Sequence, residues 1–258
     1  MPDPSGLSQS DNATAAANIE PDPPLLPLVL RGLFFGREGL RALWGVLLFL
    51  FFFTALRHAV FPIVLAVLPV AKPIGGGIAP RETYVFEFSV LLCVAIATCL
   101  MAVIERRPIT AYGLSPRHWL GYVAAGLVSG LALLSLLVAV LRAAGLLVFD
   151  SRLLFGVSIL GYGAIWLGGF LLVGVVEELI SRGYLQFTLT RCLTPIYRWL
   201  FGARRPEACG FWSAAFLLSF AFGYGHRMNS GESPLGLLSA GLGGFLFCLG
   251  LWLSLIHI

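Results

Sequence analysis

The sequence predicts an all-α protein, a polytopic bundle of about six transmembrane helices. Of its 258 residues 58% are hydrophobic and only 12% are charged. The apolar residues fall in blocks long enough to cross a hydrocarbon layer, which takes about 20 residues of helix at 1.5 Å each. The cations, 16 Arg and one Lys among the 17, collect between those blocks. A soluble domain carries about twice this charged fraction, so lipid is the expected solvent for most of the chain.

Hydropathy places spans at residues 43–69, 88–104, 119–141, 153–189, 209–227 and 235–258. Arg57, His58 and Pro62 interrupt the first, and Arg57-His58 reads as an early exit to the interface, where long side chains snorkel. Residues 1–24, rich in Pro, Ser, Asn and Asp, read as a disordered tail ahead of one transmembrane domain over 25–258. Asp3, Asp11, Glu20 and Asp22 precede the first cation, Arg31, the wrong order for a cleaved signal peptide.

Alternate connections differ in positive charge. One side collects Arg31, Arg37, Arg41, Arg106, Arg107, Arg117, Arg191, Arg198, Arg204 and Arg205, and the other receives Lys72, Arg81, Arg142, Arg152 and Arg227. The amino terminus is therefore expected on the cytoplasmic side of the cell membrane. Residues 191–205, with Tyr197, Trp199 and Leu200 among the arginines, read as an amphipathic segment at the inner interface. No basic run is dense enough to follow phosphates, so nucleic acid is not an expected partner. Cys93, Cys99, Cys192, Cys209 and Cys248 show no C-x-x-C spacing and read as packing residues.

From Leu153 to Thr190 the charged side chains are Glu177, Glu178 and Arg182, with apolar or small residues on both sides. Each costs about 2.5–3.5 kcal/mol at the centre of a transmembrane helix, so the trio needs a reason. Glu178 and Arg182 stand four apart with the acid first, the favourable order for an ion pair on one face. Glu177 lies about 100° further round and is left without its own cation, a suitable condition for a general base. The next span ends in Phe222-Gly223-Tyr224-Gly225-His226, which puts Phe222 and His226 on one face and allows a close helix neighbour. Helix lengths put Glu177 about 18 Å and His226 about 25 Å from the cytoplasmic interface, a gap that ordinary tilt closes. Taken singly, Glu178 with Arg182 reads equally as a structural ion pair, and His226 as an interfacial residue. Together with Glu177 they point to a functional site.

The segment Glu177-Glu178-Leu179-Ile180-Ser181-Arg182, followed by Gly183-Tyr184-Leu185-Gln186, matches a Glu-Glu-x-x-x-Arg motif, and Phe222 to His226 matches Phe-x-x-x-His. In these motifs and in the connector Asn229 to Leu235 the chain resembles, over about residues 105–252, the CAAX-protease/bacteriocin-processing (CPBP) family of intramembrane endopeptidases. The resemblance implies hydrolysis of a peptide bond within the bilayer, with Glu177 as base, His226 positioning water or oxyanion, and Glu178 with Arg182 bracing the helix. It implies a peptide or protein substrate reached from the membrane. One Glu and one His make an incomplete zinc site, so no cofactor is expected from these residues, and a divalent metal stays an open alternative. The family's second histidine, with Asn or Asp four residues on, has no full counterpart: either His257 is that histidine at a frayed helix end, or, the favoured expectation, the sequence is truncated at its carboxy terminus.

Two other functions fit the same residues. A non-catalytic immunity or scaffold protein would keep the fold and use the charged cluster for packing or partner binding. A transporter would use Glu177 and His226 as a proton relay.

Overall fold

The computed structural model describes residues 32–36, 39–70, 78–113, 119–151, 154–229 and 231–256. The tail placed at residues 1–24, the topology markers Arg31, Arg37, Lys72, Arg117 and Arg152, connector residue Ser230, and His257 lie outside the described residues. The chain divides into two units, residues 1–41 and 42–258. In the first, Phe35–Gly36 (β1) pairs antiparallel with Gly39–Leu40 (β2), and Arg41 Nε donates to the Gly32 carbonyl at 2.9 Å.

The second unit is a helical bundle, and among its described residues six helices are long and apolar enough to span a membrane. Its helices are α1 (Ala42–Val67), α2 (Pro80–Glu105), α3 (Trp119–Ala143), α4 (Val157–Glu178), α5 (Gln186–Trp199), α6 (Pro206–Gly225) and α7 (Pro234–Ile256). A π-helical turn, Leu179–Leu185, joins α4 to α5 into one continuous segment of 43 residues. Short 3-10 turns follow α2 at Ile109–Tyr112 and α6 at His226–Met228.

Local sequence explains where these helices begin and end. α1 does not leave the helix at Arg57-His58 but continues past Pro62 to Val67, with the Arg57 guanidinium lying along its own helix over the Phe53 and Phe61 rings at 5.8 and 5.3 Å. α2 starts eight residues before the expected 88, at a proline in the first turn followed by Glu82, both favourable at a helix N-terminus. It ends at Arg106, whose φ of 53° and ψ of 43° turn the chain out of the helix while its N–H still reaches the last turn. Residues 186–199 form the amphipathic α5, which starts five residues before the segment expected at 191–205 and carries its Arg191 and Arg198.

α2 is the central element. Its Val90, Cys93, Val94, Ala97 and Met101 are buried at helical spacing between α1 and α4. Tyr84 Oη donates to the Ile165 carbonyl at 2.8 Å near the start of both α2 and α4, so these two helices run in the same direction, as alternation of the spans requires. By contrast, the stretch of α3 from Val123 to Ala143 buries no residue.

α6 uses small residues to approach its neighbours. A Cβ on Gly210 would lie 3.0 Å from Thr190 O and Thr194 N of α5, and one on Gly223 would lie 2.6 Å from Leu237 O of α7. Phe211, Ala215 and Cys248 form a buried cluster capped by Trp212 and Trp252. Gly223→Ala is therefore expected to force α6 and α7 apart and lower stability by about 1–3 kcal/mol, the usual range for overpacking, measured by equilibrium unfolding in mixed micelles.

Candidate active site

The four residues singled out by the sequence sit on α4, the π turn and the end of α6. Glu178 closes α4, and Arg182 lies one turn on, inside the π segment. Arg182 Nη1 donates to Glu178 Oε1 at 2.7 Å, the expected i,i+4 pair. The guanidinium reaches further than the pair alone. Its Nη2 donates to the Gly244 carbonyl of α7 at 2.9 Å, and its centre lies 5.0 Å from the Phe222 ring and 5.2 Å from the Phe247 ring. Gly244 makes this possible, because a Cβ there would stand 3.1 Å from Nη2 and 3.3 Å from Phe222 Cδ1. The Arg182 side chain is 5% exposed and ties the π turn to α6 and α7, while Glu178 remains 47% exposed.

Glu177 turns away from that pair, toward the end of α6. Its Oε1 lies 3.8 Å from His226 Nε2. The other ring nitrogen of His226 is engaged, since Nδ1 stands 2.8 Å from the Phe222 carbonyl oxygen. A carbonyl only accepts, so Nδ1 carries the proton in that bond and the neutral ring presents a lone pair on Nε2 toward Glu177. Phe222 packs on the His226 ring at 4.7 Å as well as on Arg182, so one phenyl group holds both motifs in register.

The gap of 3.8 Å is too long for a direct hydrogen bond but accommodates a water about 2.8 Å from each atom. Glu177 and His226 are 36% and 25% exposed, so the pair opens on an accessible face, unlike sealed Arg182. Beside it, α6 and α7 enclose an apolar groove of ≈ 570 Å³ that begins at Gly223 and Tyr224, within one turn of His226.

Two acids join the arrangement that the sequence reading left out. Glu87 of α2 lies within electrostatic reach of both Glu177 and Arg57. Placing the start of the second span at residue 88 had left it outside the membrane, whereas the proline and Glu82 start signals would have included it. Glu105 accepts a hydrogen bond from the Tyr184 hydroxyl and pairs with Arg191 Nη1 at 3.1 Å. No spacing rule links residues 105 and 184.

The donor set does not fit a resident metal. Among the described residues no three His, Cys, Asp or Glu side chains come together, and His226 has one nitrogen left after its bond to Phe222.

A helical protein with six candidate membrane spans among its described residues belongs to the class of multi-pass membrane proteins. Within that class, residues 159–255 match the model of the Rce1-like type II CAAX prenyl endopeptidases, a protease family. The chain thus carries an Rce1-like domain over its last three spans, and the match supports the CPBP resemblance of its motifs. No curated protein and no solved structure matches the chain.

Proposed function

We propose that the protein is an intramembrane endopeptidase in which Glu177 and His226 activate a water against a peptide bond. The observation that carries this is the 3.8 Å separation of Glu177 Oε1 and His226 Nε2, with the His226 tautomer set by Phe222. A water between the two donates one O–H to each acceptor and keeps a lone pair for attack. As its oxygen bonds to the substrate carbonyl carbon, its proton passes to Glu177. When the tetrahedral intermediate collapses and the C–N bond breaks, Glu177 returns that proton to the leaving nitrogen, so the base is regenerated. His226 orients the water. Glu178 and Arg182 act at one remove by fixing the last turn of α4 and the Phe222 ring.

The substrate is a peptide or protein segment that arrives through the bilayer, since the groove beside His226 is almost wholly apolar. The excess of arginines on one set of connections supports a cytoplasmic amino terminus in the cell membrane. The test is cleavage of an internally quenched peptide mixture bearing apolar carboxy-terminal segments by the purified protein in proteoliposomes. His226→Gln is expected to lower turnover by about 10²-fold, the cost of a misplaced attacking water. Equal turnover by wild type and His226→Gln removes this reading, and proton uptake without product would favour transport instead.

A further inference from the structure

The π turn sets the register between the proposed base and the rest of the bundle. A π turn holds one residue more than the α-helix it interrupts. Relaxing Leu179–Leu185 to α-helix would rotate one flank against the other by about 100° and shift it by about 1.5 Å. α5 is not free to take up that motion. Gln186 Nε2 donates to the Phe211 carbonyl at 3.0 Å, Tyr197 Oη and Ser213 Oγ stand 2.6 Å apart, and Gly210 seats α6 on the backbone of Thr190 and Thr194. The rotation would fall on the last turn of α4 and carry Glu177 off His226.

Two side chains inside the π turn have polar partners on other elements. Arg182 is one. Tyr184 is the other: its ring is fully buried and stacks on Phe49 of α1 at 4.4 Å, and its hydroxyl donates to Glu105 Oε1 at the end of α2. Glu105 is itself held from several directions. Tyr112 Oη donates to its Oε2 at 3.4 Å, Arg191 Nη1 lies at 3.1 Å and Arg107 Nε at 3.8 Å. Burial and the Glu105 carboxylate push the Tyr112 phenol up to about 12, so it stays a donor at neutral pH. α1 closes over the group through Gly45, where a Cβ would lie 3.0 Å from both Glu105 Oε1 and Tyr184 Oη.

We infer that Glu105 is a positioning residue for the peptidase centre: through Tyr184 it holds the π turn and so keeps Glu177 facing His226. This rests on the endopeptidase reading above. It assigns a role to a helix outside the 159–255 match.

The test uses the full chain in lipid nanodiscs with the quenched peptide mixture, comparing wild type, Tyr184→Phe, Glu105→Gln and Glu177→Gln. Tyr184→Phe is expected to lower kcat on the order of 100-fold, the cost of a 1 Å misplacement, with KM unchanged. Amide exchange across 179–185 should quicken in the same variant. Should Tyr184→Phe fail to fold, Glu105→Gln, which keeps the volume, carries the same measurement.

A rescue arm separates positioning from plain structural support. Deleting Ile180 removes the extra residue, lets an ordinary α-helix join the same flanks, and leaves Glu178 three residues before the arginine, still a pairing distance. The deletion should keep activity by itself and should restore kcat to the Tyr184→Phe chain. Loss of activity in the deletion alone, or no restoration in the double variant, overturns the inference. So does wild-type kcat in both clasp variants while Glu177→Gln is inactive. Full activity of Glu177→Gln would sink the peptidase reading and this inference with it.

Discussion

Glu177→Gln is expected to abolish cleavage, lowering turnover by about 10³-fold while leaving the unfolding midpoint where it is. The substitution keeps the side-chain volume and removes the group that accepts the proton of the attacking water, a contribution in the range of 10²–10⁴. The new amide can donate to His226 Nε2, which now faces a carboxylate at 3.8 Å, so the end of α6 stays in place. Nothing in the brace depends on Glu177, because Arg182 is held by Glu178 and Gly244. Cleavage of the quenched peptide mixture and thermal unfolding, measured on one preparation, separate the two effects. An active Glu177→Gln would leave a membrane protein whose charged cluster serves packing or partner binding.

Arg182→Ala should have the opposite profile, with the largest loss of stability of any single change at the site. It leaves Glu178 without its cation and the Gly244 carbonyl without its donor, and it removes the group stacked between Phe222 and Phe247. Removing one partner of a buried pair costs 3–5 kcal/mol. Because Glu178 is half exposed, about 3 kcal/mol is expected here. Arg182→Lys should recover only part of it, since one ammonium on a flexible stem cannot reproduce a planar fork that serves a carboxylate and a carbonyl in different directions. Equilibrium unfolding in mixed micelles checks both variants, and activity should fall in step with the folded fraction. An Arg182→Ala chain as stable as wild type would mean that the brace contributes nothing.

The number and order of the spans were legible because twenty apolar residues in a row have few soluble explanations. The pair of Glu178 with Arg182 was legible for a local reason, since four residues bring two side chains onto one helical face whatever the rest of the fold does. The meeting of Glu177 with His226 was less so. Counting residues from helix ends left them about 7 Å apart in depth, whereas the folded chain sets Glu177 Oε1 3.8 Å from His226 Nε2, a closeness that hydropathy does not encode. The π turn itself carried no signal in composition. Glu105 was hidden for the same reason as most tertiary partners, because its contacts to Tyr184 and Arg191 span 79 and 86 residues. Arg57 stacks on Phe53 and Phe61 of its own helix, a local contact at four-residue spacing that hydropathy does not register.

α3, with no buried side chain from Val123 to Ala143, depends on its surroundings in a way that the interlocked helices do not. Its 25 residues extend about 38 Å, against a hydrocarbon layer of about 30 Å. A surplus of this size is taken up by leaning or by ends that reach the interface, and from Val123 to Ala143 no residue is buried against a neighbour to set the lean. Bilayer thickness therefore bears on the inclination of this helix, whereas α2 is tied to α4 by Tyr84 and Ile165 and α6 is seated by its glycines on α5 and α7. Acyl-chain length in the host membrane is therefore expected to act on the third span first.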